Sequence, residues 1–579
     1  MATAPTRSRS RSRPMPRPQA RKGELLVEGA SLLVALGWGF WNVLTLLPVR
    51  SPQLLPYASD YWEYLGFTAH FLDPSAPAPP AFRHPLFPWL ASQLCTLFDL
   101  SPSLGNLWIA VIAAGLIPVA LYLLARQIAP PFVALCGALL GGSLPVLVDS
   151  LGLVSDYLFC TWVLVLSAAA CLWATRRGNL LAYAAAGISL AALMAATPKA
   201  LTWLVIAIPL LSLRALLGVR AQPRGPVVRL LFLLVPLVAV WWLFARSPLL
   251  YNSLEHATDL VFSDCLGHVP VTSVHPTPGE LWPADRGWIV GEWSSLFQIP
   301  RTLEYLREIG AIGRSGVHFQ SGFWVTFMEQ FSRGRGLWLF PVMGLLGCLG
   351  PATVRRRPTP WIPTLLVIAM VSAFFLSSLV ASASLPPRLR YHLTAILILP
   401  VFAPAGGAFL LRLLPVLRRA AEWPWLVLPL LCLWLVEFSD LPVGRPARLQ
   451  RAALLADREE PVMAPFAALQ QLRPELLPDD HVLDLAPNGE VRAMLLHAVV
   501  IEAYPSFGGA QGAGGLTLYP QGRGRRLLFG GCAETHLGDN HLWKILDSAG
   551  DGVEPRLQRL SPCLLEDTRP RRPGVLRPG

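Results

Sequence analysis

The side chains able to do chemistry gather in a few short segments between long apolar runs. The first segment is Tyr57-Ala58-Ser59-Asp60-Tyr61-Trp62-Glu63-Tyr64, followed after an amphipathic stretch by Phe82-Arg83-His84-Pro85-Leu86. A carboxylate held among aromatic rings at a membrane interface loses part of its hydration. That loss raises its pKa toward the range in which it takes a proton from a substrate hydroxyl. Asp60 is the candidate for this role, against the competing reading of a solvated loop acid beside interfacial Tyr and Trp anchors. Glu63, Tyr64 and, further along, Tyr391 are candidates for contact with a sugar or an acceptor.

A second acid, Asp156, opens an apolar run in Ser155-Asp156-Tyr157. An ionisable group at the end of a span is costly unless it has a partner, which makes it a functional candidate. Three roles fit: accepting from an acceptor hydroxyl, holding a divalent cation together with Asp60, or capping its own helix. Cations suited to a phosphate stand in the same kind of segment. They are Arg83 or His84, Lys199 in Thr197-Pro198-Lys199, and Arg388 and Arg390 in Pro386-Pro387-Arg388-Leu389-Arg390-Tyr391-His392. Arginine offers phosphate oxygens a planar fork and lysine a point charge. The alternative is snorkelling toward lipid headgroups.

The elements that position these residues follow from composition. Of 579 residues, 53% are hydrophobic and 15% charged, against about 25% charged in a soluble globular protein. Apolar runs long enough to cross roughly 30 Å of hydrocarbon recur along the chain. They lie near Leu26–Leu47, Leu107–Leu124, Pro131–Leu147, Leu153–Trp173, Leu180–Ala196, Leu201–Leu217, Leu230–Ala245, Leu337–Leu349, Trp361–Leu379, His392–Leu411 and Trp425–Phe438. The expected fold class is an all-α polytopic membrane protein of about 11 transmembrane helices, with a small extracytoplasmic α/β unit at the C-terminal end.

Charge sets the orientation. Residues 1–22 form a Pro- and Arg-rich tail with no cleavable signal pattern, read as disordered and cytoplasmic; its Arg/Ser alternation suits an orientation signal better than RNA binding. With that tail inside, Arg126, Arg176, Arg177, Arg214, Arg220, Arg224, Arg229, Arg355 to Arg357, Arg418 and Arg419 all fall on the same side, as the positive-inside rule requires. The loops 48–105 and 246–335 and all the candidate residues then face outward. Positive charge is normally depleted there, which argues that Lys199, Arg388 and Arg390 are kept for a reason. The 246–335 loop carries an amphipathic Leu296–Ile312 segment and Trp282, Trp288 and Trp293, suited to lie in the interface.

The division expected is a membrane module over 23–440, an extracytoplasmic α/β domain over 441–565 and a disordered tail over 566–579. In the soluble part, His481–Leu485, Val499–Ala503 and Arg526–Phe529 read as strands, with helices over Gly489–His497 and around His541–Asp547. Asp479-Asp480 reads as a charged turn before a strand rather than a metal-binding acidic pair. Cys136, Cys160, Cys171, Cys348 and Cys432 fall inside apolar runs as small packing residues, and Cys532 and Cys563 are the candidates for a disulfide.

The order of these pieces resembles the GT-C superfamily of polyprenyl-phosphate-sugar-dependent glycosyltransferases, in particular the branch of protein O-mannosyltransferases and the lipid A aminoarabinose transferase. The resemblance covers about residues 23–440 and rests on Asp60 in the first outer loop, Arg83-His84-Pro85-Leu86, Ser155-Asp156, Thr197-Pro198-Lys199, and Arg390-Tyr391 before a late span. It implies a membrane enzyme, in a bacterial inner (plasma) membrane, that moves a sugar from a polyprenyl-phosphate donor to an extracytoplasmic lipid, glycan or protein with inversion. Asp60 and Asp156 would be catalytic, Arg83, His84, Lys199, Arg388 and Arg390 would meet the donor phosphate, and no cofactor is demanded, a divalent cation being optional. The lipid bilayer is a partner and nucleic acid is not. The sequence departs from the pattern where a Lys is usual (Arg83 or His84) and where Tyr61 breaks the usual Asp-Glu pair. No Trp-Trp-Asp motif is present, which argues against transfer of whole glycans to Asn.

Two other classes compete. A lipid or glycan transporter would show inverted repeats and polar groups at the bilayer midplane, and an envelope-assembly factor would have lost the catalytic acids.

Overall fold

The computed structural model describes residues 18–50, 59–73, 84–151, 156–197, 200–217, 225–246, 342–348, 365–370, 393–413, 427–456, 481–484, 500–503, 525–529, 557–561 and 564–567. Ten helices run from the first described residue to the middle of the chain: α1 (Pro18–Arg50), α2 (Ser59–Leu72), α3 (Leu86–Phe98), α4 (Pro102–Ala125), α5 (Pro131–Gly141), α6 (Pro145–Leu151), α7 (Asp156–Arg177), α8 (Leu180–Ala196), α9 (Ala200–Leu217) and α10 (Gly225–Arg246). After short helical pieces at 342–348 and 365–370 come α11 (Leu393–Leu413), α12 (Val427–Phe438) and α13 (445–456).

Local signals explain the boundaries. Ser101 caps α4 by accepting from Leu104 N, with Pro102 at the first helical position, where its missing N–H costs nothing. Asn179 caps α8 by accepting from Ala182 N at 3.0 Å. Among the described residues, Leu25–Arg50, Pro102–Ala125, Asp156–Arg177 and Gly225–Leu243 are long and apolar enough to cross a membrane.

The run expected as one straight span over Pro131–Leu147 is instead two helices. α5 and α6 meet at a 53° bend, because Pro145 has no N–H to continue the ladder and starts a new helix. Together the bent pair also passes as a crossing.

Helices whose surfaces are both apolar gain little from burial in lipid and associate by close van der Waals packing, which small residues permit. A Cβ on Gly39 of α1 would meet the Gly115 carbonyl of α4, and one on Gly187 of α8 would meet the Phe232 carbonyl of α10. The backbones therefore touch. Likewise Gly137 lies against Val401 and Gly141 against Leu397, so α11 runs antiparallel to α5 and starts, two residues after Tyr391, at the α6 end of the bundle.

One end of the bundle collects the basic helix termini. Arg126 at the end of α4 pairs with Glu28 of α1 at 2.9 Å. Arg176 donates to the Arg126 carbonyl at 3.4 Å, and Arg214 of α9 donates to the Thr175 carbonyl at 2.9 Å. The turns assigned to a single side from charge alone thus share one end in three dimensions wherever these arginines mark them.

Strands β1 (His481–Asp484), β2 (Val500–Ala503), β3 (Arg526–Phe529), β4 (Leu557–Ser561) and β5 (Leu564–Asp567) form one sheet in the order β2-β1-β3-β5-β4. β1 pairs in parallel with β2 and β3, and β5 is antiparallel to β3 and β4. The first three strands coincide with those expected from sequence. The β4–β5 pair was not expected; Ser561 and Leu564 face each other across it. The expected helices at 489–497 and 541–547, the 246–335 loop and Cys532 with Cys563 lie outside the described residues.

Gly39→Ala should lower thermal stability in detergent by about 1–3 kcal/mol, the usual cost of overpacking a close contact; an unchanged melting temperature would show that α1 and α4 do not pack backbone to backbone.

Candidate functional site

The end opposite the basic termini, where the candidates His84 and Asp156 lie, is organised around the last turn of α8. The carbonyl of Met194 would ordinarily accept from the N–H four residues on, but that residue is Pro198, which has none. The vacated acceptor is taken by a side chain from far away in sequence: His84 Nδ1 lies 3.1 Å from Met194 O. A carbonyl only accepts, so Nδ1 carries the proton it donates. The ring is 4% exposed.

The Ala196 carbonyl is taken from the other side. Cys160 Sγ of α7 lies 3.1 Å from Ala196 O and 3.3 Å from Asp156 Oδ2, two acceptors for one thiol proton. The notion of Cys160 as a packing residue is thus incomplete, since its thiol ties Asp156 to the end of α8. Asp156 is the first residue of α7 and half-buried. Residues from the first long loop, α7 and α8 therefore meet at the segment that leads, two residues after Thr197, to Lys199.

A chain of aromatic rings brings α2 to the same place. Tyr64 packs edge-on against Phe87 with centroids 5.3 Å apart, Phe87 against Phe159 at 5.8 Å, and Phe159 against Trp162 at 5.9 Å. Thr68 Oγ1 donates to Asn106 Oδ1 of α4 at 2.8 Å, both side chains fully buried. Asp60 stands one helical turn before Tyr64 on α2, and Asp156 one turn before Phe159 and Cys160 on α7. The ring chain fixes the two acid-bearing helices relative to each other.

Tyr64, a candidate for sugar or acceptor contact, is 2% exposed, with its ring packed on Phe87. The side chains of Asp60 and Glu63, and Arg83, Lys199, Arg388, Arg390 and Tyr391 altogether, lie outside the described residues. Among the described residues no group of three or more His, Cys, Asp or Glu is placed to hold a metal ion.

A second polar cluster at this end was not singled out from the sequence. Arg451 of α13 forks onto Asp149 of α6, with Nε to Oδ1 at 2.5 Å and Nη2 to Oδ2 at 2.7 Å. Arg448, 1% exposed, donates to Asn42 Oδ1 of α1 and, at 2.8 Å, to the Val436 carbonyl of α12. Burial lowers the Arg448 pKa to about 10, so the group keeps its charge at neutral pH. Trp38 Nε1 donates to Ser143 Oγ at 3.1 Å, and Asn42 Nδ2 to the Gly142 carbonyl at 3.2 Å, where α5 breaks from α6. The signal available in sequence was the stripe Arg445, Arg448, Arg451, spaced to share one helix face.

No family model and no curated protein matches the sequence. Among solved structures, the chain is similar to ArnT from Cupriavidus metallidurans bound to undecaprenyl phosphate, with a TM-score of 0.52 at 12% identity over 94% of this chain and 98% of that one. The archaeal oligosaccharyltransferase AglB from Archaeoglobus fulgidus, in complex with an inhibitory peptide and a dolichol-phosphate, aligns with a TM-score of 0.47 at 14% identity. That alignment takes in 84% of this chain but 65% of the oligosaccharyltransferase, less than two thirds of its length.

Phe87→Ala removes the middle ring of the chain between α2 and α7. It should destabilise the protein by about 3–5 kcal/mol, read as a lower melting temperature in detergent, whereas Trp89→Ala, on a ring that is 45% exposed, should change it little.

Proposed function

The chain has the GT-C glycosyltransferase fold, and from that premise we propose that it transfers a sugar from a polyprenyl-phosphate donor to an extracytoplasmic acceptor, with inversion at the anomeric carbon. The observation that carries this reading is the convergence of His84 and Asp156 on the last turn of α8, immediately before Lys199, beside the helix that bears Asp60. An acid, a cation and a carbonyl-anchored imidazole at one end of an apolar bundle suit a lipid phosphate whose tail lies among the helices.

In this mechanism an acceptor oxygen attacks the anomeric carbon while the bond from that carbon to the phosphate oxygen breaks. The bonding pair leaves with the polyprenyl phosphate, and the acceptor's proton passes to Asp60. Asp156 orients the acceptor hydroxyl or shares that proton. Arg83, Lys199, Arg388 and Arg390 stabilise the charge that grows on the leaving phosphate, the electrostatic contribution that usually dominates such reactions. His84 is anchored to Met194 at the end of α8. Glu63 and Tyr391 remain as the sugar or acceptor contacts, Tyr64 serving to place α2.

The finer architecture belongs to the same proposal: about 11 spans, the basic end in the cytoplasm, the site and the five-stranded sheet outside, and a bacterial inner membrane as the location. Helix is present at each of the eleven apolar runs, and the clustering of Arg126, Arg176 and Arg214 at one end agrees with the alternation that eleven crossings require.

Asp60→Asn should lower transfer from a polyprenyl-phosphate sugar about a thousandfold in a protein that still purifies as a monodisperse peak; wild-type turnover would remove Asp60 from the mechanism. Lys199→Ala and Arg390→Ala should each weaken binding of polyprenyl phosphate about tenfold, as expected for loss of a charged hydrogen bond, and unchanged affinity in both would refute a phosphate role. A reporter inserted after Arg177 should read as cytoplasmic and one fused to Gly579 as extracytoplasmic; the same side for both would overturn the topology.

A further inference from the structure

α6 is a seven-residue helix set at 53° to α5. A helix this short does not hold its place by its own hydrogen bonds. It is gripped at Asp149, whose carboxylate receives the two-pronged fork of Arg451 and whose carbonyl accepts from Arg50 Nη2 at 3.4 Å. Leu147, Val148 and Leu151 of α6 border a small cavity that Asn42 and Arg448 also line. The fork comes from α13, which is itself pinned three times: Arg445 to Glu437 at 2.7 Å, Arg448 to Asn42 and Val436, and Arg451 to Asp149. Arg445 and Arg448 also lie over the rings of Trp41 and Trp38, at 5.0 and 5.5 Å.

Two connections give this arrangement a consequence. α6 ends at Leu151, and Asp156 opens α7 only a few residues later. On the other side, α13 leads into the part of the chain that carries the sheet. We infer that Arg451 and Arg448 are positioning residues that, through Asp149 and Asn42, latch α13 onto α6 and so set where α7 begins and where Asp156 stands. The latch makes the placement of a site acid depend on a helix 302 residues away from Asp149 in sequence. Its bearing on catalysis rests on the transferase reading; its bearing on the position of Asp156 does not.

Charge and geometry favour a latch over incidental packing. The fork requires arginine, because lysine offers a point charge without the two parallel donors. The pair joins elements that no short loop connects, so the ion pair helps to set their relative placement.

The test uses the full chain in detergent. Asp156→Cys is combined with Arg451→Gln, and the rate at which the thiol introduced by Asp156→Cys reacts with a maleimide is read by mass spectrometry of its peptide, well below the melting temperature. The latch predicts that Arg451→Gln changes this rate about tenfold, with Arg451→Lys intermediate. In the chain that keeps Asp156, Arg451→Gln lowers kcat about tenfold to a hundredfold, the scale of a misplacement near 1 Å, and leaves the donor KM nearly unchanged. A residue that merely glues the fold would lower the melting temperature and leave the reactivity of the introduced thiol as it was, which overturns the proposal. Should Arg451→Gln not accumulate, Arg451→Lys decides alone, and parental reactivity again overturns it. Reactivity that responds in a chain showing no transfer from any polyprenyl-phosphate sugar would sink the transferase reading and leave the latch standing; transfer without a response of the introduced thiol would do the reverse.

Discussion

The Met194 carbonyl, deprived of its donor by Pro198 and taken by His84, is the interaction on which the rest of the site depends. A proline four residues after a helical carbonyl both ends the helix and leaves that acceptor open. In an apolar surrounding, an open acceptor costs about 1–3 kcal/mol unless something meets it. The donor that meets it comes from the first long loop, so one residue in Thr197-Pro198-Lys199 terminates α8, recruits His84 and sets the point at which Lys199 follows. Cys160 does the same for Ala196 and draws Asp156 into the group.

Around this point the bundle obeys two rules of a low-dielectric medium. Backbones approach closely where glycine allows it, at Gly39 with Gly115 and at Gly187 with Phe232, because apolar side chains alone give helices no reason to choose one neighbour over another. Charges survive at the ends, each with a partner: Arg126 with Glu28 at one end, Arg451 with Asp149 and Arg445 with Glu437 at the other. Among the described residues, these ion pairs are sorted to the two ends of the bundle.

Much of the fold was legible from the sequence because the relevant signals are local. The helices at Leu180–Ala196 and Leu393–Leu413 follow from hydrophobic run length, and the strands at His481, Val500 and Arg526 from short β-rich runs. The break between α5 and α6 was missed although Pro145 was in view, since a proline inside an apolar run is either carried within a helix, as at Pro118 of α4, or ends it, and the neighbours decide which. Tyr64 was read as a surface contact because an aromatic beside an acid looks interfacial; Phe87, which covers it, lies in a different helix and enters only through packing.

Sequence by itself determined that this chain is built of apolar helices of membrane-crossing length with arginines in the turns between them, since run length and charge bias are properties of contiguous residues. Tertiary structure alone decided that His84 serves Met194, that Cys160 joins Asp156 to α8, and that Arg451 and Arg448 close on Asp149 and Asn42. Those partners lie up to 406 positions apart. No periodicity records such a pairing, because it is fixed by which helix ends the glycine contacts bring together and by the cost of leaving any charge or carbonyl there unmet.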